Sequence, residues 1–174
     1  SQLHVLAIQT AEPGPIAQAI AGIDIALWDM AAKRAGVPLY LHLASEFGQA
    51  EIGDIASVAS YASGINPDEP EKTALRAGEE GYTAFKLKVG FEDELDHRNL
   101  KTMRETLGED VKIMTDANQR WDIAKAIQMT SELGDYSPYW IEEPIAADRP
   151  AAEWRELQKA SPIDLAAGEN LRGS

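Results

Sequence analysis

Three carboxylates, Asp116, Glu142 and Glu169, each close a short apolar run: VKIMTD, YWIEE and IDLAAGE. They lie 26 and 27 residues apart. That is about the length of one strand–helix unit, so three successive parallel strands would each deliver one acid to a common rim. Convergent carboxylate oxygens are the donor set of a hard divalent cation such as Mg²⁺. One unit earlier, AFKLKVG places Lys86 and Lys88 two residues apart, and on a strand that spacing sends both side chains to one face. Two ammonium groups held together in a partly desolvated site should lower each other's pKa. A nearby cation acts in the same direction, and a neutral amine then becomes available as a general base. A base and a metal on one rim point to an enzyme.

Each residue also has a plain structural reading. Lysines on a strand edge keep that edge soluble. Asp116 and Asn118, in TDAN, are suited to capping the next helix. Glu142 and Glu143, in WIEEP, fit surface acids at a strand exit, with Pro144 stopping the ladder. Glu169 follows Gly168, where a glycine permits close backbone approach. The common spacing of the three acids behind the lysine pair is what favours chemistry. His4 in the opening segment, His42 in a passage from helix to loop and His97 on a polar helix face all miss the strand ends, so they are assigned to structure or surface. Trp28 reads as packing. Arg120 and Trp121 fit either substrate contact or a cap for the following helix.

The elements that must position these residues follow from periodicity. From Pro15 to about Ala35, Ile16, Ile20, Ile23, Leu27 and Met30 recur every three or four residues, which predicts a helix with an apolar face, ended by Gly36 and Pro38. Beyond it, strands are predicted near 55–62, 84–89, 111–116, 139–142 and 163–168, with helices at 68–80, 92–107, 122–134 and 150–160. Such alternation argues for a parallel sheet with right-handed crossovers. No G-x-G-x-x-G or Walker pattern marks an open doubly wound sheet, whereas chemistry at consecutive strand ends is the arrangement of a (β/α)₈ barrel. Five predicted strands fall short of the eight, and of the roughly 250 residues, of a complete barrel.

Composition limits the alternatives. The 174 residues are 44% hydrophobic and 26% charged, with a net charge of −13 and no cysteine. A chain of this make-up folds as a globular protein. Its acidity, without a Lys/Arg-rich stripe, argues against nucleic acid or anionic lipid as partner. The lack of cysteine excludes disulfides and thiolate chemistry and fits a cytoplasmic protein. The longest apolar stretch is interrupted by Asp24 and Asp29, so no membrane span is expected.

The ordered motifs FKLKVG, TDAN, WIEEP and AAGEN resemble the enolase superfamily, and within it the mandelate racemase / muconate lactonizing enzyme family. The segment AIAGIDIALWDMAAKRAGVPLY is similar to the one that joins this family's capping domain to its barrel, so the likeness covers nearly the whole chain. It implies an α/β fold: a partial (β/α)₈ TIM-type barrel of about the first five strands, preceded by a linking helix from an α+β capping domain outside these residues. Residues 1–50 would be the linker and 51–174 the N-terminal part of the barrel. By the same resemblance Asp116, Glu142 and Glu169 bind Mg²⁺. Lys88 removes the proton α to a substrate carboxylate, Lys86 helps hold that carboxylate, and Asn118 lies near metal and substrate. A third acid that is Glu in a GEN context looks more like the mandelate racemase-like subgroup than the muconate cycloisomerase-like one. The family's His–Asp pair and a further acid, borne on its last three strands, are not found among these residues. The implied activity is that of an acid-sugar dehydratase or racemase acting on a small carboxylate through an enolate, as a homo-oligomer in full-length form. A muconate-type cycloisomerase and a catalytically inactive fragment are the alternatives.

Overall fold

The computed structural model describes residues 13–48 and 58–170. The chain divides into two compact units, Ser1–Val58 and Ala59–Ser174. His4 and residues 55–57 of the first expected strand lie outside the described residues.

In the first unit, helix α1 spans Pro13–Ala35. Lys33 and Arg34 occupy its last turn, where cations complement the helix dipole, and Gly36 (φ +71°) ends it. Residues after Pro38 form a second helix, α2 (Leu39–Glu46), where the sequence pattern suggested only a passage into loop. Trp28 stands edge-on to His42, ring centroids 5.9 Å apart, and tilted against Phe47 at 5.8 Å. Trp28 and His42 therefore pack against each other. Of the apolar residues spaced along α1, Ile23, Leu27 and Met30 are exposed. Periodicity fixes which residues share a helix face, but burial needs a surface to cover that face.

The second unit is a five-stranded parallel sheet in the order β1-β2-β3-β4-β5. The strands are β1 (Ala62–Ile65), β2 (Ala84–Lys88), β3 (Lys112–Asp116), β4 (Ile141–Glu142) and β5 (Leu165–Ala166). The crossover helices are α3 (Pro70–Glu79), α4 (Asp93–Leu107), α5 (Ile123–Leu133) and α6 (Ala151–Ala160). Strictly sequential order is the wall of a barrel; doubly wound sheets reverse direction at a switch point.

The first strand lies later than its expected position near 55–62. Ala62 pairs with Phe85 and Ile65 with Leu87, and Ile65 is buried while Val58 is exposed. The apolar run before residue 62 and the glycine at 64 pulled the expectation too early. The last two strands are shorter than predicted.

Alternation along β2 builds the core on one face. Phe85, Leu87 and Val89 join Ile65, Ile113 and Ile141 against Leu100 and Met103 of α4 and Met129 and Leu133 of α5. At the end of the sheet where the strands begin, Arg104 is buried and donates to the carbonyls of Gly108, Glu109, Val111, Tyr136 and Ser137. One guanidinium thereby satisfies the turn after α4 and the turn before β4. His97 pairs with Glu132 at 3.0 Å on the helical layer, far in sequence from the strand ends. Among the described residues no helix is long and apolar enough to cross a membrane.

Candidate active site

Register brings the expected residues into one line. Lys88 pairs with Asp116, Asp116 with Glu142 and Glu142 with Ala166. Neighbouring positions in a parallel ladder share a face, so three polar side chains stand side by side across β2, β3 and β4 at the strand exits. Lys86 lies one step further back on the same face.

Ion pairs knit this row together. Lys88 Nζ donates to Asp116 Oδ2 at 2.7 Å and to Asn118 Oδ1 at 2.6 Å. Lys86 Nζ donates to Glu142 and lies 3.4 Å from Asp116 Oδ2. It also sits over the Tyr61 ring, 5.5 Å from its centroid. Asp116 Oδ1 accepts the N–H of Asn118 at 3.0 Å. Neither Asp116 nor Asn118 caps the following helix: Asp122 does, accepting the Lys125 N–H at 2.8 Å. Arg120 lies over the Phe91 ring, and Trp121 joins the core, its backbone bridging to Ile145 beyond Pro144.

The electrostatics correct one expectation. Burial pulls Lys86 down, but the hydrogen bond to Glu142 and the charges of Glu142 and Asp116 outweigh it, so its pKa is raised. Burial likewise pushes Asp116 up, yet the Lys88 hydrogen bond, the Asn118 N–H and the two lysine charges hold it below the ordinary carboxylate value. The lysines were expected to depress each other. Instead Lys86 finds the Glu142 carboxylate across the sheet and Asp116 on the neighbouring strand, and at Lys86 opposite charge dominates over like charge.

Glu169 stands apart from the row. In register with Glu142, β5 presents Ala166, and Glu169 follows three residues later, exposed, in a turn after Gly168. Its Oε1 accepts from Asn170 Nδ2 at 3.3 Å. Among the described residues no three acids or histidines are gathered closely enough to hold an ion. The donor chemistry nevertheless fits Mg²⁺. Asp116 and Glu142 are in-register hard oxygen donors that already draw two cationic groups, and Mg²⁺ commonly takes one or two carboxylates and keeps several waters.

Two features of the rim were missed from the sequence. Glu143, read as a surface acid, is fully buried. Gln119, which contacts it, went unnoticed. Strand alternation was the available signal, since it sets Glu143 apart from its neighbour Glu142. The rim loops also hold three non-glycine residues with left-handed backbone, Asn118 (φ 43°), Gln119 (φ 64°) and Glu143 (φ 43°), a conformation that needs surrounding contacts to persist.

A sequential parallel wall with lysines and acids at its strand exits defines a member of the (β/α)-barrel class with a polar rim. A family model described as enolase C-terminal domain-like matches residues 69–174, and one described as the N-terminal domain of mandelate racemase / muconate lactonizing enzyme matches residues 1–43. The chain belongs to the mandelate racemase / muconate lactonizing enzyme family of the enolase superfamily. It is 38% identical over 159 residues to the L-talarate/galactarate dehydratase of Salmonella typhimurium, covering 91% of this chain and 39% of that protein. It is 32% identical over 162 residues to the D-galactarolactone cycloisomerase of Agrobacterium fabrum, covering 89% and 41%. A solved mandelate racemase/muconate lactonizing enzyme from Bordetella bronchiseptica superposes with a TM-score of 0.85 at 54% identity, over 99% of this chain and 45% of that one. An enolase from Bradyrhizobium solved with magnesium and mandelic acid gives 0.77 at 29%, over 97% and 46%. The chain thus spans less than half the length of these relatives.

Proposed function

We propose that this protein removes the proton α to a substrate carboxylate in a Mg²⁺-dependent reaction, as an acid-sugar dehydratase or racemase. The observation that carries this reading is the in-register row Lys88–Asp116–Glu142, with Lys86 behind it. The two lysines divide the work by exposure. The Lys86 side chain is 8% accessible and fixed between two acids, whereas that of Lys88 is 26% accessible. Lys88, as the free amine, is the group able to reach a substrate and accept its α-proton. Lys86 stays cationic and holds the substrate carboxylate. Asn118 orients Lys88 through its side-chain oxygen.

Asp116, Glu142 and Glu169 would hold Mg²⁺. When bound, the ion supplies positive charge that stabilises the enolate dianion and competes with the lysines for their carboxylates. The α-proton of a carboxylate is very weakly acidic, so this concentration of charge is what the reaction requires. The substrate class is supported by the dehydratase relative. The cycloisomerase relative favours a second reading, in which the same enolate forms and a ring is opened or closed.

The test is incubation of the full-length protein with Mg²⁺ and a panel of aldonic and aldaric acids in D₂O, following the α-proton by NMR. Exchange is expected with at least one acid, and Lys88→Ala should slow it by about 10³-fold. No exchange with any acid, or exchange unchanged in Lys88→Ala, refutes the assignment.

A further inference from the structure

Glu143 is the rim acid that no step of this reaction uses, and it is fully buried. Its Oε2 accepts from Gln119 Nε2 at 3.1 Å and from Asn170 Nδ2 at 2.8 Å. Gln119 in turn accepts the Ala147 N–H through Oε1 at 2.9 Å and donates its own N–H to the Glu143 carbonyl at 2.7 Å. A single carboxylate therefore ties together the loops that follow β3, β4 and β5.

Immediately beside each tie stands a residue of the proposed site: Asn118 next to Gln119, Glu142 at the end of β4 next to Glu143, and Glu169 next to Asn170. The contact to Asn170 is the most informative. The same Nδ2 that donates to Glu143 also donates to Glu169 Oε1, so an unbroken path runs from the buried acid to the exposed one. Glu143 Oε1 has no hydrogen-bond partner. A scaffold post alone would be better served by a neutral side chain, because an unpaired buried carboxylate oxygen is costly. Its charge has a use only if positive charge is to be drawn to this rim.

We infer that Glu143 is a positioning residue for the metal rim: it fixes Asn170, and through it Glu169, relative to Glu142, and adds negative charge behind the ligand set. The inference rests on the reading that Asp116, Glu142 and Glu169 take Mg²⁺. Partners that orient ligands typically change metal affinity 10- to 100-fold when removed.

Mg²⁺ titration calorimetry on the wild type, Glu143→Ala, Glu143→Gln, Asn170→Ala and the Glu143→Ala/Asn170→Ala double variant tests it, with far-UV circular dichroism reporting the fold. Glu143→Ala and Asn170→Ala should each weaken binding about 10-fold or more, with the double variant no weaker than the worse single one. Glu143→Gln, which keeps an oxygen for both amides, should recover part of the loss. Wild-type affinity in folded Glu143→Ala, or losses that multiply in the double variant, overturns the inference. Should Glu143→Ala not fold, wild-type affinity in Glu143→Gln and Asn170→Ala overturns it equally. A wild type that binds no Mg²⁺ removes the proposed function and this inference together, whereas retained affinity in the variants removes this inference alone.

Discussion

Replacing Lys86 by methionine keeps the stem and deletes the charge. In the wild type that ammonium is almost completely buried, donates to Glu142 and lies 3.4 Å from Asp116, itself 1% exposed. Breaking a buried ion pair from one side costs about 3–5 kcal/mol, mostly from the charge left behind. Lys88 remains on Asp116 at 2.7 Å and Glu142 keeps some contact with solvent, so the lower figure applies, about 3 kcal/mol. For a domain the size of Ala59–Ser174 this corresponds to about 4 °C per kcal/mol, or a fall in Tm of about 12 °C. Thermal unfolding followed by circular dichroism at pH 7 in EDTA measures it. Lys86 is held above its ordinary value of 10.5, so the stability it contributes is fully present below that pH and is lost only as pH rises through the folded value. The gap between wild type and variant should accordingly persist through neutral pH. Adding Mg²⁺ should raise the variant's Tm more than the wild type's, because the freed acids no longer share their charge with an ammonium. A fall of less than about 3 °C in EDTA, or a smaller Mg²⁺ response in the variant, refutes this account of the rim.

Other positions give independent checks. Gly90 has φ +88°, and a Cβ there would lie 2.9 Å from Arg120 Cβ and Cγ and 3.1 Å from the Ala117 carbonyl; Gly90→Ala should cost about 3 kcal/mol, read from urea midpoints. Asp96 is raised in pKa by burial, which exceeds the help of the Gly90 N–H that it accepts at 2.7 Å. Its contribution to stability is therefore present below its ordinary value of 3.8 and lost as pH rises through the folded value. Asp96→Asn should raise the urea midpoint at pH 7, and the gain should vanish below pH 3.8.

The order of strands and helices was legible because Gly, Pro and Asp punctuate a regular apolar rhythm, and on the strand so marked the spacing of Lys86 and Lys88 set both on one face. Asp116 and Glu142 were legible as neighbours because 26 residues is the repeat that keeps β3 and β4 in register. Glu169 shows the limit of that argument. The ladder places Ala166 beside Glu142, and the extra residues carry Glu169 out into a turn, which counting between acids cannot reveal. The lysine pKa went astray for a related reason: like charges two residues apart are visible in sequence, whereas the opposing carboxylates come from other strands and appear only with the register. β1 was misplaced because one buried isoleucine outweighed an apolar run. Glu143 was hidden because its partners, Gln119 and Asn170, belong to two other loops.

The alternation of β2 has a consequence for folding. A slip of one residue against β3 would bring Phe85, Leu87 and Val89 to the polar rim and drive Lys86 and Lys88 among Leu100, Met103 and Met129, without a carboxylate to meet them. Both lysines would then be unpaired ions in an apolar layer, at a cost of several kcal/mol each. The paired lysines thus act as proofreaders of strand alignment: the chain cannot settle into the neighbouring register without stripping two ammonium groups of their carboxylates.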